Sequence, residues 1–290
     1  ETYVGFGAWI GPTLLYASST KPNLKRTFAF EADPSAYAHL EQNVGWNRGQ
    51  SWSQRITITP VAVTEGSAVN LTSTRVTMKS AKAGNSCSGL KLKSSAACGK
   101  IADQWTIPGL TLPSLFQKLG IPTSSSTFVK VDVESYECEL LPSWYDWLQK
   151  AVSKPTLRVS FHGPNVRECS AEQYAGIKRV GALYKHIYMN GQIATLNPKS
   201  QDDVIFTDHQ LGANTQESFS APAIQTSKAK GVFDAHGYSL YQKTRKDLGN
   251  GRVAVRTRNQ KTTVYYDRKD KWFADMINSP SPPWEPGTFE

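Results

Sequence analysis

Two glycines and one carboxylate near the N-terminus form the first pattern that could bind a small ligand. Gly7 and Gly11 bracket a turn after an apolar run, and a helical stretch begins at Pro12. Glycine lets backbone approach a ligand, and the N–H groups of a helix N-terminus point towards it. Glu31 ends the next apolar run, about 20 residues on, where a carboxylate hydrogen-bonds ribose hydroxyls. The pair predicts a site for a ribose-containing ligand.

The spacing of the glycines distinguishes between ligands of this kind. A nicotinamide dinucleotide favours a tight G-x-G-x-x-G turn that cradles its pyrophosphate. Here Gly5, Gly7 and Gly11 give the looser spacing G-x-G-x-x-x-G. Because this spacing suits a ligand without phosphates, we expect S-adenosylmethionine as the cofactor.

Acidic residues and a histidine follow two later apolar runs. Asp132, Glu134 and Glu137 lie within six residues, and His162 follows the next predicted strand. Buried acids need partners, so these carboxylates must face a ligand, a cation or basic groups. We expect His162 beside Asp132 across adjacent strands, placed to take a proton from a hydroxyl. The alternative for His162 is an ordinary histidine at a strand end. No metal is expected, because the spacing of the acids does not demand one.

Strand and helix patterns alternate from Tyr3 to about Ala182 and must position these residues. This order predicts an α/β fold, a Rossmann-like, mostly parallel sheet with helices on both faces. Right-handed crossovers bring the carboxyl ends of the strands to one edge, where ligands bind. The predicted strands are 3–8, 25–30, 55–64, 127–133, 156–161, 187–196 and 204–207, and the predicted helices are 12–18, 34–43, 112–119, 136–152 and 171–186.

The composition of the chain changes at about residue 210. Residues 1–210 are the predicted cofactor-binding domain, and the lysine-, serine- and glycine-rich segment 79–104 is expected to be an inserted loop. Residues 211–290 are predicted to be a basic, β-rich extension. It comprises an antiparallel meander with strands at 237–244, 251–258 and 261–267, and a proline-rich end without helix or strand.

Positive charge is concentrated in the extension. The chain has 33 Lys and Arg against 24 Asp and Glu, a net charge of +9, and residues 227–272 contain twelve basic and four acidic residues. A basic face favours an anionic partner such as an acidic glycan, a nucleic acid or a lipid headgroup, or a protein partner. A solvated surface is the alternative. The aromatic residues of this segment alternate as strand-core residues do, so nucleic acid is the less favoured partner.

Cysteines and one asparagine bear on the cellular compartment. Cys87, Cys98, Cys138 and Cys169 lack the spacing of a zinc site, so disulfides are expected, with their pairing open. Asn70 begins an Asn-Leu-Thr sequence, the acceptor pattern for N-glycosylation. Together they favour a glycoprotein of the secretory lumen or extracellular space, with the cytoplasm as the alternative. The sequence has no run of 18 consecutive apolar residues, so no membrane span is predicted.

Taken together, these patterns resemble the FkbM-type methyltransferase family, within the S-adenosylmethionine-dependent Rossmann-like superfamily. The resemblance covers roughly residues 3 to 208, and it depends on the order and spacing of its parts. The parts are Phe6-Gly7-Ala8-Trp9-Ile10-Gly11-Pro12-Thr13, Phe30-Glu31-Ala32-Asp33-Pro34-Ser35, Leu40 with Asn43-Val44 and Asn47, Val61-Ala62-Val63 before Gly66, Lys130-Val131-Asp132-Val133-Glu134 with Glu137, and His162.

The resemblance implies a transferase that methylates oxygen, typically a sugar hydroxyl of a glycan or glycoconjugate. It also implies a set of site residues, each expected near one part of the cofactor or near the acceptor. These are Gly7, Ala8 and Gly11, with Trp9 in the same turn, for the methionine part, Glu31 and Ala32 for the ribose, Ala62 for the adenine, and Asp132, Glu134 and His162 for the acceptor.

The chain departs from the family pattern at four places. An acid near the start of the first motif is replaced by Gly5, and the glycine after Glu134 is Ser135. An aspartate before the fourth strand is Pro113, and a glutamate two residues before the histidine is Ser160. These departures favour an alternative, an inactive methyltransferase-fold module for binding or assembly. If the protein is an enzyme, we expect an open cofactor cleft lined by the glycine turn. If it is an inactive module, we expect this cleft to be filled or collapsed.

Overall fold

A computed structural model gives the architecture of most of the chain. It describes residues 1–80, 88–90, 100, 103–134, 136–161, 169–189, 192–196, 203–211, 242–249, 252–257, 263–267 and 285–286. His162, Cys87 and Cys98 lie outside the described residues, so the expectations for them stay predictions.

The described residues form six α-helices, one 3-10 helix and sixteen strands. The helices are α1 (Pro12–Thr20), α2 (Pro34–Trp46), η1 (Ser51–Arg55), α3 (Leu112–Leu119), α4 (Glu137–Ser143), α5 (Tyr145–Lys150) and α6 (Ala171–Gly181). The strands are β1 (Thr2–Phe6), β2 (Arg26–Phe30), β3 (Ile56–Thr59), β4 (Ala62–Thr64), β5 (Thr74–Ser80), β6 (Ser88–Gly89), β7 (Asp103–Thr111), β8 (Thr127–Val131), β9 (Thr156–Ser160), β10 (His186–Met189), β11 (Gln192–Ile193), β12 (Asp203–Thr207), β13 (Gln242–Gly249), β14 (Arg252–Thr257), β15 (Thr263–Asp267) and β16 (Glu285–Pro286).

The central sheet confirms the predicted α/β class. Its strand order is β3-β2-β1-β8-β9-β12-β10-β11. The first five of these strands are parallel, and β12, β10 and β11 add antiparallel pairs at one edge. The chain moves from β1 towards β3 on one side and then crosses to β8 on the other. The order therefore reverses between β1 and β8, the place where sheets of this kind bind ligands.

Apolar side chains cover both faces of this sheet, because alternate strand residues point to opposite sides. Val4 and Phe6 of β1 belong to the larger core, which includes residues of α3, α4, α5 and α6. Tyr3 of the same strand packs in a second core with Leu14 of α1 and Leu40 of α2. A disulfide between Cys138 and Cys169 ties α4 to the residues before α6. The prediction of helices on both faces is confirmed.

Helix starts follow the predicted signals more closely than helix ends. Asp33 caps α2, since one side-chain oxygen accepts hydrogen bonds from the N–H groups of Ser35 and Ala36, and Pro34 occupies the first turn. The helix expected over 136–152, with a restart at Pro142, is two short helices, and they meet at Trp144 instead. Pro142 lies inside the first of them and removes one backbone donor there.

The expected third strand, residues 55–64, is divided between two sheets. Pro60 separates β3, which joins the central sheet, from β4, which pairs with β7. A proline lacks the N–H that a continuous strand needs, so the ladder ends there. The second sheet has the order β4-β7-β5-β6.

The expected inserted loop, residues 79–104, contains strand residues and is wrong to that extent. β5 extends to Ser80, Ser88–Gly89 forms β6, and β7 begins at Asp103. Along β7, exposed residues give way to the buried Ile107 and Leu110, a pattern of a half-covered strand. Composition alone hid this pattern, because small and charged residues dominate the segment.

The extension contains the predicted antiparallel meander. β13 pairs with β14, and β14 pairs with β15. The first strand, predicted at 237–244, extends to Gly249, and its predicted residues 237–241 lie outside the described residues. β16 contradicts the expectation of a final segment without strands. Its two residues, Glu285 and Pro286, add a parallel pair at the edge of β13, a position where proline is tolerated. In the described part of the chain, no helix has the length and hydrophobicity to cross a membrane.

Candidate functional site

The glycine turn after β1 is held against the end of β8. Gly7 has a φ of +71°, and a Cβ at this position would lie 1.7 Å from the carbonyl oxygen of Asp132. The N–H of Asp132 donates to the carbonyl oxygen of Phe6 at 3.1 Å. Only glycine allows the two backbones to come this close in a left-handed conformation. The turn and the first acidic residue are therefore parts of one site.

Helix α2 fixes the other end of the turn. The Asn43 side-chain amide donates to the carbonyl oxygen of Ile10 at 2.9 Å. A Cβ on Gly11, whose φ is +95°, would lie 2.6 Å from the Leu40 side chain. These contacts explain why Leu40 and Asn43 belong to the pattern noted in the sequence, because both residues of α2 pack against the turn and hold it in place.

The N–H groups of the turn donate within the protein. Those of Gly7 and Ala8 both donate to the carbonyl oxygen of Phe30 at 3.1 Å, and that of Gly11 donates to the carbonyl of Ala8. The Trp9 N–H donates to Oε2 of Glu31 at 2.6 Å. These bonds fasten the turn to β2 and close it on itself, so the four N–H groups do not form a free cradle for a phosphate.

Glu31 ends β2 and is buried, with 8% of its surface exposed. Its second oxygen, Oε1, accepts from the N–H of Asp33 at 2.7 Å. Burial raises the pKa of Glu31 from 4.5 to about 7, because removal of water disfavours the charged form more than these backbone hydrogen bonds favour it. The carboxylate is thus fixed in direction and poised to change charge near neutral pH.

An open cleft lies at the carboxyl ends of β1, β2 and β8. Its empty volume is about 640 Å³, counting the part open to solvent. The predicted site residues that line it are Gly7, Trp9, Glu31, Ala32, Ala62, Asp132 and Glu134. Ala8 instead lines a small hollow beside Lys130, and Gly11 is turned towards α2. The structure therefore brings together seven of the nine predicted site residues that it describes.

Apolar side chains form the wall of the cleft next to Glu31. Val61, Ala62 and Val63 come from the chain around β4, and Met78 and Leu90 come from the second sheet. Trp105 supports this wall, since its ring N–H donates to the carbonyl oxygen of Ala32 at 3.0 Å. Sequence reasoning missed these three residues. Leu90 lies in the segment expected to be a loop, whereas Met78 and Trp105 lie just outside it and carry no local sign of a place near Glu31. The lining also includes Phe6, Phe30, Val133 and Tyr136.

Carboxylates dominate the polar part of the lining. Glu31, Asp132 and Glu134 face the cleft, and none of the described residues that line it is lysine, arginine or histidine. Lys130 lies behind it, where its ammonium contacts Oδ2 of Asp132 at 2.6 Å in a buried ion pair. Carboxylate oxygens of this kind accept hydrogen bonds from a ligand and disfavour a phosphate-bearing one.

The turn after β8 presents two of its three acids to the cleft and uses the third to hold its shape. Glu137 is buried, and its carboxylate accepts from the N–H of Val133 at 3.0 Å. Glu134 is partly exposed and has a φ of +46°, a left-handed conformation that non-glycine residues adopt at a cost. Burial raises the pKa of Tyr136 to about 12, so its hydroxyl stays protonated. Among the described residues, no group of three or more His, Cys, Asp and Glu side chains could hold a metal ion.

Comparison with known proteins shows that the fold of this chain is similar to that of several solved structures. No family model and no curated protein sequence matches the chain. The solved structures it resembles include a methyltransferase FkbM from Methylobacillus flagellatus KT, with 17% identity, a TM-score of 0.43 and coverage of 71% of this chain and 43% of that one. They also include a putative O-methyltransferase from Klebsiella pneumoniae, with 11% identity, a TM-score of 0.38 and coverage of 72% and 73%.

A third similar structure is the O-methyltransferase from Bacillus cereus in complex with SAH, with 13% identity, a TM-score of 0.34 and coverage of 70% and 71%. The chain spans less than half of the Methylobacillus protein. At these identities the comparisons describe the fold alone, so function has to be inferred from the cleft.

Proposed function

We propose that the protein is an S-adenosylmethionine-dependent O-methyltransferase that acts on a sugar hydroxyl of a glycan or glycoconjugate. One observation carries the proposal: the N–H of Trp9 in the glycine turn donates directly to Oε2 of Glu31, at the wall of an open, acidic cleft. The two features that the sequence paired, 22 residues apart, are in contact. The alternative of an inactive module predicts a filled cleft, and the space left among the described residues that line this one supports the enzyme instead.

The residues of the cleft fit the chemical parts of this cofactor. Both oxygens of Glu31 accept backbone N–H groups, and a carboxylate oxygen can accept more than one hydrogen bond, which suits it to a ribose hydroxyl as well. Ala62 and Met78 offer an apolar surface suited to a flat ring. The acidic lining favours a sulfonium cation, whereas a dinucleotide would bring phosphates to a wall of carboxylates. Tyr136 also lines the cleft, and its hydroxyl stays protonated.

The acceptor is expected at the β8 side of the cleft. When bound, S-adenosylmethionine would supply a methyl group on a cationic sulfur. Glu134 and Asp132 can accept hydrogen bonds from the hydroxyls of a sugar and orient one of them, and positioning supplies much of the rate gain in such transfers. A carboxylate of this pair could take the proton as the oxygen loses it. Lys130 keeps Asp132 in an ion pair and so fixes its direction. His162 remains a predicted base.

Calorimetry tests the cofactor part of the proposal. The protein is titrated with S-adenosylmethionine, with S-adenosylhomocysteine and, for contrast, with NAD⁺. We expect binding of the first two and none of NAD⁺. Glu31→Ala should weaken S-adenosylmethionine by about 10-fold to 100-fold, because a buried charged acceptor contributes roughly 1.5–3 kcal/mol. Glu41→Ala, which removes an exposed charge of α2, is the matched control and should bind as the wild type does.

Binding of NAD⁺ alone, or equal losses in the two variants, would remove the proposed cofactor. The acceptor class needs a separate measurement. A panel of neutral and acidic oligosaccharides is incubated with the protein and S-adenosylmethionine, and a mass increase of one methyl group is sought. A protein that binds the cofactor and methylates only non-sugar hydroxyls would contradict the sugar acceptor while leaving the cofactor site intact.

A further inference from the structure

The loop between β4 and β5 carries the Asn-Leu-Thr sequence on the surface. Residues 65–73 form no helix or strand, and Asn70, Leu71 and Thr72 are exposed. Asn70 donates its backbone N–H to Oγ of Ser114 at 2.8 Å, so the loop is fastened to the first turn of α3. No residue of the loop lines the cleft. A bulky group attached here would leave the proposed site open.

The asparagine is held in a local turn. The N–H of Thr72 donates to Oδ1 of Asn70 at 3.0 Å. This bond engages the amide oxygen, whereas an N-linked sugar is attached through Nδ2. The amide nitrogen and the hydroxyl of Thr72 therefore remain on an exposed segment, in the order that the acceptor pattern requires.

Exposed apolar side chains flank the same residue. Val69 is 48% exposed and Leu71 is 50% exposed, two of the five large hydrophobic side chains most exposed in the described part of the chain. Such residues on both sides of one asparagine are a cost in water unless something covers them. A carbohydrate has an apolar ring face and a solvated rim, so a sugar on Asn70 would cover these two side chains.

The disulfide adds evidence of a different kind. A disulfide joins Cys138 of α4 to Cys169, just before α6, and the described residues include no free cysteine. Disulfides persist in the oxidising secretory compartment, which is also where asparagine glycosylation takes place. Four independent observations point to glycosylation at Asn70. They are the Asn-Leu-Thr sequence, the exposure of its residues, the exposed apolar side chains beside it and the disulfide.

We propose that Asn70 is an N-glycosylation site whose first sugar covers Val69 and Leu71. The donor would be an oligosaccharide linked to a lipid through a diphosphate. A bond forms between Nδ2 and the anomeric carbon of the first sugar, and the bond from that carbon to the diphosphate breaks. The diphosphate lipid leaves, and the amide gives up one proton. This proposal does not depend on the proposed methyl transfer.

The test is translation of the whole chain behind a cleavable signal peptide in the presence of microsomes. Protease protection identifies chains that entered the lumen. In protected chains we expect one shift in electrophoretic mobility, removed by an endoglycosidase that cleaves N-linked glycans. The shift should disappear completely in Asn70→Gln and Thr72→Ala and persist in Thr72→Ser. Asn85→Gln is the control for the second, weaker sequence Asn-Ser-Cys, and it should keep the shift.

Protected wild-type chains without a shift, or a shift that depends on Asn85 alone, would overturn the proposal. The covering of the apolar pair has its own test on the secreted protein. Complete removal of the glycan should increase self-association of the wild type, measured by sedimentation. The same removal should have little effect in a Val69→Ser, Leu71→Ser double variant. An equal increase in both proteins would show that the sugar does not cover these side chains.

Discussion

The two sides of the cleft hold their carboxylates in different ways. On the β2 side, Glu31 is buried and both of its oxygens accept backbone N–H groups. On the β8 side, Asp132 has a lysine as its counter-ion, and Glu134 is partly exposed on a left-handed backbone. Backbone hydrogen bonds therefore hold the carboxylate on the β2 side. A side-chain ion pair and a tight turn hold the carboxylates on the β8 side. In the proposed function the first side would hold the cofactor and the second would hold the acceptor.

A single glycine joins these two sides. Gly7 belongs to the turn that carries Trp9, yet its backbone touches the carbonyl oxygen of Asp132. Any displacement at Gly7 therefore moves the β2 side and the β8 side together. We expect changes at this contact to affect both sides, whereas changes at Glu31 or Glu134 should affect only one.

The largest effect is expected for Gly7→Ala. The new Cβ would lie 1.7 Å from the carbonyl oxygen of Asp132, on a backbone with a φ of +71°. Strain and overlap together should lower the free energy of unfolding by about 3–5 kcal/mol and abolish cofactor binding. Gly120→Ala is a matched control, because Gly120 has a φ of +58° and an added Cβ meets nothing within 4 Å. It should cost only about 1 kcal/mol. Urea unfolding measures both, and equal losses would mean that the contact at Gly7 is not tight.

Sequence patterns predicted the parts of the site that depend on local chemistry. Glycine directly after a strand and an acid at a strand end usually serve a turn or a ligand, so the Gly7 turn, Glu31 and Asp132 could be predicted. The inner strands were predictable for a similar reason, since their apolar runs are short and bounded. What remained hidden depended on partners far away in the chain. Met78 and Leu90 line the cleft only because β5, β6 and β7 fold over it.

The sequence also could not predict which acidic residue of the turn after β8 has which role. Three acids in six residues look equivalent, yet Glu137 holds the N–H of Val133 while Glu134 faces the cleft. The φ of +46° at Glu134 comes with the close approach of β6, where a Cβ on Gly89 would lie 2.5 Å from the Glu134 carbonyl oxygen. No composition or spacing rule encodes such a contact.

The second largest effect is a dependence of stability and ligand binding on pH, and it comes from Glu31. Because burial raises its pKa to about 7 from 4.5, Glu31 stabilises the fold fully below pH 4.5 and loses that contribution as the pH rises through 7, by about 3 kcal/mol in total. Ligand binding should have the opposite slope, because the ionised carboxylate is the better acceptor for ribose hydroxyls. The neighbouring charge of Asp33 also raises the pKa of Glu31 and belongs to the same titration.

Adenosine is the ligand for this measurement, because it has the ribose and no group that titrates in this range. Its affinity by calorimetry should be about tenfold lower at pH 6 than at pH 8. Glu31→Gln removes the titrating group and should give the same, weaker affinity at both pH values. An equal dependence on pH in the wild type and the variant would assign it to another group.

The smallest effect on stability is expected for Glu134→Gly. Glycine relieves about 1–2 kcal/mol of left-handed strain and adds about 0.5–1 kcal/mol of chain entropy in the unfolded state, so the variant should be about 0.5 kcal/mol more stable. Methyl transfer should fall sharply, while adenosine affinity stays within about twofold, since Glu31 is untouched. Glu134→Gln keeps the strained backbone and removes only the charge, so it should lose transfer without gaining stability. Loss of adenosine affinity in Glu134→Gly would mean that the two sides of the cleft are coupled beyond Gly7, because no other change in the variant reaches the Glu31 side.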